Sequence, residues 1–131
     1  MSIHDIYSCK NLSVEECGVL LKAAIVIELT PHSSSHFGDY LLAVLPGGEE
    51  VRIVQNNSGD QWQEEDLREC DVIVKISDLE SMNKAIEFEK KLRTNFTLTM
   101  RSEVIPRQSL RRYKFIEGNA VLLQEVHLKQ G

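Results

Sequence analysis

A chain of 131 residues, 42% hydrophobic and 27% charged with seven Gly and three Pro, has the size and composition of one globular domain (1–131) that can bury a core unaided. Its net charge of −5 disfavours general binding to nucleic acid or to anionic membranes, both of which need clustered Lys and Arg. No apolar run approaches the roughly 18 residues that span a bilayer, and Met1–Asp5 lacks the basic start of a signal peptide, so the expected location is the cytoplasm.

In chain order, Ser13-Val14-Glu15-Glu16 has the form of a capping box and starts a helix that runs through Cys17, Leu20 and Leu21. The β-branched stretch from Ala23 to Thr30 suggests a buried strand that Pro31 ends. A loop from Pro31 to Asp39 follows, rich in Ser and turn formers. Tyr40–Leu45, Pro46-Gly47-Gly48 and Val51–Gln55 form the clearest hairpin. Residues 61 to 69 read as a short exposed helix or an irregular acidic loop. Asp71–Ile76 is a strand, and Ser77-Asp78-Leu79-Glu80 repeats the capping-box pattern ahead of a helix over about 78–93 with one apolar face. Phe96–Met100 alternates as a strand, and Arg111–Ile116 and Ala120–His127 close a hairpin around Glu117-Gly118-Asn119. The pattern predicts an α+β fold: a mostly antiparallel, curved sheet of about five to seven strands with two helices, the longer one packed on one face.

Chemistry-bearing motifs are sparse. Cys9, Cys17 and Cys70 are odd in number and form no CxxC pair, so reduced, packed thiols are expected rather than a disulfide framework or zinc site. His32 and His36 are spaced i, i+4 but lack the Glu of HExxH and follow Pro31, which disfavours a helix. Phosphate-binding glycine patterns and the GxSxG nucleophile motif are absent. No catalytic residue, metal ligand or cofactor is nominated.

Charge is unevenly spread along the chain. Glu49 to Asp71 holds eight acids and two bases, whereas Glu89 to Lys114 holds eight bases and two acids. The acidic stretch also contains Trp62, the sole tryptophan, a residue type enriched in binding hot spots. The leading expectation is therefore a non-enzymatic protein-binding module of inhibitor or immunity type. Asp60, Trp62, Glu64, Glu65, Asp66 and Glu69 would cover a basic partner such as a nuclease-type toxin. Two alternatives stand beside it: a small-ligand or hydrolytic domain using the His32–Asp39 loop, with His36 or Asp39 moving a proton, and nucleic-acid contact through the basic 101–114 segment. Edge strands in the hairpins are compatible with a symmetric homodimer.

Overall fold

The computed structural model describes residues 1–9, 11–58 and 61–128. Its elements run β1 (Ser2–Ser8), α1 (Val14–Ala24), β2 (Thr30–Ser34), β3 (Gly38–Val44), β4 (Glu50–Gln55), β5 (Asn57–Ser58), β6 (Gln61–Trp62), β7 (Val72–Leu79), α2 (Met82–Leu92), β8 (Thr97–Ile105), β9 (Ser109–Ile116) and β10 (Asn119–His127), with a 3-10 turn at Glu65–Leu67. Eight strands form one antiparallel sheet in the order β10-β9-β8-β1-β7-β4-β3-β2, and β5 pairs only with β6. The α+β class is as expected, and the sheet is one strand wider than the upper expectation.

Both helices lie on one face. Ile3, Tyr7, Val51, Ile53, Val74 and Ile76 project there from the central strands and pack with Cys17 and Leu21 of α1 and Ala85 and Leu92 of α2. The helix α1 begins at the expected capping box, with Ser13 Oγ accepting from the Glu16 amide and the Glu16 carboxylate accepting from the Ser13 amide. The closing hairpin also forms as expected, on a two-residue turn in which Glu117 and Gly118 take positive φ of 51° and 81°.

Several local expectations are overturned by tertiary pairing. The N-terminal residues, which carry no strong pattern, form β1 at the centre of the sheet between β7 and β8. Leu79 pairs with Ile3 deep in the core, so β7 runs through Ser77 and Asp78, and α2 is capped instead by Ser81, whose Oγ accepts from the Lys84 amide. The apolar stretch after α1 is no strand: the helix continues to Ala24, and β2 starts only at Thr30. Pro31 lies inside β2, where an edge strand tolerates the missing N–H. The expected Pro31–Asp39 loop is thus largely the β2–β3 hairpin. Cys9 and Cys17 are joined as a disulfide, because the turn after β1 folds the buried face of α1 back onto the strand's end. Cys70 is a buried free thiol. No helix among the described residues is long and apolar enough to cross a membrane.

Two buried ion pairs brace the core, one between the neighbouring strands β1 and β8 and one between α2 and the β3–β4 turn. Asp5 and Arg101 are 1% and 8% exposed and meet in a two-pronged fork, with Nε to Oδ1 at 2.8 Å and Nη2 to Oδ2 at 2.9 Å. The guanidinium also lies 5.8 Å over the Phe115 ring. Burial raises the Asp5 carboxyl against the opposing pull of Arg101. The second pair joins Lys84 of α2 to Glu49, a 1% exposed residue in the β3–β4 turn.

Removing one partner of a buried pair strands the other charge. Asp5→Ala is expected to cost about 3–5 kcal/mol in urea unfolding, whereas Asp5→Leu combined with Arg101→Met should return stability to the wild-type level or above. Lys84 holds the Glu49 carboxyl below its ordinary value. A folded pKa below the unfolded one stabilises the native state at neutral pH, and this contribution disappears as pH falls through the carboxylate range. Glu49→Gln should therefore flatten the acid limb of stability measured against pH.

Candidate functional site

Beyond Gln55 the chain leaves the sheet and crosses the face opposite the helices before returning at Val72. Irregular backbone over an apolar surface needs internal partners for its polar groups, and Asn56, fully buried, supplies them. Its carboxamide donates to the carbonyls of Leu67 at 2.8 Å, Cys70 at 3.0 Å and Glu64 at 3.4 Å, and accepts from the Glu64 amide at 2.8 Å. The Asn56 backbone adds a donation to the Asp71 carbonyl at 2.8 Å and an acceptance from the Gln63 amide at 2.7 Å. Leu67 fills the apolar patch formed by Ile6, Val54, Ile73 and Met100.

Around this plug the two oppositely charged stretches of the sequence meet. Strand alternation puts Lys75, Arg112 and Lys114 on the same face as the loop. Glu64 spans Lys75 at 3.4 Å and Arg112 at 3.3 Å. The Lys114 ammonium donates to the Asp66 carbonyl at 2.7 Å and pairs with Glu69 at 3.2 Å. Hydrogen bonding from its own backbone, then the Lys114 ammonium, holds the Glu69 carboxyl below its ordinary value.

The expected binding residues therefore divide. Glu64 is largely covered, its side chain 18% exposed, while Glu65, Asp66 and Glu69 face solvent, as do Arg68 and Asp71. Trp62 is half-buried with the Arg68 guanidinium 5.8 Å over its ring. Asp60 lies outside the described residues. The loop's outer surface thus carries Glu65, Asp66, Glu69 and Asp71 on backbone fixed from beneath.

Elsewhere, His32 stacks on Tyr40 at 5.6 Å, and His36 sits in the β2–β3 turn against Phe37. A hollow of about 460 Å³ beside that hairpin is lined by Glu15, His32, Ser33, Asp39 and Tyr40, and His36 is not among its walls. Among the described residues no group of three or more His, Cys, Asp or Glu is placed to hold a metal ion. In the basic segment, Arg111 pairs with Glu125 at 3.2 Å, and Arg107 is exposed in the β8–β9 turn.

A second hollow, about 390 Å³, lies between the acidic loop and the sheet and is lined by His4, Glu64, Lys75, Ser77, Ser102 and Arg112. These residues are scattered in sequence: the register of β1, β7, β8 and β9 brings His4, Lys75, Ser77, Ser102 and Arg112 together, and the acidic loop adds Glu64. Sequence reasoning named Glu64 and the segment holding Ser102 and Arg112 but missed His4, Lys75 and Ser77, because the signal, polar residues alternating on one face, is readable only once β1 is placed. No family model and no curated protein matches this chain.

Leu67→Ala is expected to cost about 2–5 kcal/mol, since it empties a fully covered site. The loop should loosen with it, and a red shift of Trp62 fluorescence in native buffer would report that loosening.

Proposed function

We propose that this chain is a non-enzymatic protein-binding module of inhibitor type, whose acidic loop covers a basic site on a protein partner such as a nuclease-type toxin. The observation that carries the reading is the anchoring of the loop. Asn56 and Leu67 fix its backbone, so Glu65, Asp66, Glu69 and Asp71 are presented without the ordering cost that a mobile loop would meet on binding. Carboxylates arrayed in this way complement the cationic surface with which a nuclease holds phosphates, and they speed encounter. Lys114 and Arg112 act as struts that a partner's own cations can displace from Glu69 and Asp66. A cytoplasmic location goes with this reading, and there the Cys9–Cys17 bridge would be exposed to the reducing thiol pool.

The hollow beside His32 favours a second reading, a small-ligand or hydrolytic site built on Glu15, His32 and Asp39. Loss of a detected activity in His32→Ala, with binding of the basic partner intact, would favour it over the first.

The charge-reversal pair Glu65→Lys and Asp66→Lys is the suitable test, because Glu64 is a structural strut and its reversal would disturb the loop itself. With a basic, nuclease-type protein that binds the unmodified chain as ligand, the double variant should bind about tenfold or more weaker, chiefly through slower and less salt-sensitive association. Equal affinity and equal salt dependence would overturn the reading.

A further inference from the structure

The two edges of the sheet are built differently. The β2 edge is five residues long, contains Pro31, and carries the polar side chains of Thr30, His32, Ser33 and Ser34. Such an edge resists pairing, because Pro offers no N–H. The β10 edge is nine residues long, contains no Pro and no Lys, and is exposed at every position. Val121, Leu122, Leu123 and Val126 stand 41%, 47%, 41% and 38% open. A long, apolar, unpaired edge of this kind is a template for another strand.

We infer that β10 is the seam of a symmetric dimer, pairing antiparallel with β10 of a second copy of this chain. Charge favours a copy of itself over a charged partner. The sole ionised carboxylate of β10, Glu125, is engaged by Arg111 at 3.2 Å and His127 at 2.6 Å, which leaves a locally neutral, apolar strip. Joining two such strips brings no unpaired like charges together. The geometry also closes. Leu123 is the middle residue of β10, so a two-fold axis there leaves four residues on each side to pair with their mates, and the bulge in the β9 ladder at the same residue confines the break in the new ladder to the axis itself. Head-to-tail growth would need β10 to pair with β2, which Pro31 opposes, so association stops at two copies rather than running into filaments. The acidic loop packs over β1, β4, β7 and β8 and reaches β9 through Arg112 and Lys114, but makes none of its ion pairs with β10.

Sedimentation equilibrium of the full chain should give roughly twice its 14.9 kDa, and Val121→Lys with Leu123→Lys should give a monomer of unchanged circular dichroism. Both positions are exposed, so the fold has little to lose from the change. The Glu65→Lys, Asp66→Lys variant should remain dimeric, which separates this inference from the reading of the acidic loop. Hydrogen exchange of the unmodified chain provides a variant-free check: β10 amides should be protected at high concentration and lose that protection on dilution. A wild-type monomer with unprotected β10 amides at every concentration would overturn the inference, as would open-ended oligomers or a dimer that survives both lysines.

Discussion

The central strands of this sheet are apolar on both faces, and that constraint sets what the rest of the chain must do. Helices cover one face. The other is covered by backbone that is mostly neither helix nor ladder, so its amides and carbonyls cannot satisfy one another by repetition. A single carboxamide resolves the conflict. Asn56 offers two donor hydrogens and an acceptor at a point where three carbonyls and one amide converge, and Leu67 supplies the apolar contact that makes the cover worth forming.

The charge asymmetry of the sequence has its explanation in the same place. The acidic stretch lies over the cationic residues of β7 and β9, and four carboxylate–ammonium or carboxylate–guanidinium contacts join Glu64, Asp66 and Glu69 to Lys75, Arg112 and Lys114. Partly exposed pairs of this kind contribute little stability individually. Their effect is to set the lateral position of the loop on the sheet, and therefore the direction in which the remaining carboxylates point.

Local signals in the sequence were reliable where the chain decides its own geometry. The Ser13 capping box, the turn at Pro46-Gly47-Gly48 and the turn at Glu117-Gly118 are short-range hydrogen-bond or dihedral problems, and each was legible. The second capping box failed because its first residue, Ser77, belongs to a strand whose far end is buried against Ile3, and burial outweighed a cap available four residues later at Ser81. Strand β1 was illegible for a related reason. Its alternation is interrupted by Asp5 on the core side, and only Arg101, distant in sequence, makes that carboxylate acceptable there. Of the candidate site, the exposed acids could be read from composition, but their anchor could not, since nothing local distinguishes Asn56 from a turn asparagine.

The place of β1 also bears on how the chain is made. Strand β1 is synthesised before both of its neighbours, β7 on one side and β8 on the other, and Asp5 finds Arg101 only after 96 further residues. Until β7 emerges Ile3, Ile6 and Tyr7 have no ladder to enter, and until β8 emerges theirs is open on one side. The nascent chain must therefore stay soluble with its most central strand unpaired for most of its synthesis, while only the β2–β3–β4–β7 half of the sheet has its partners at hand.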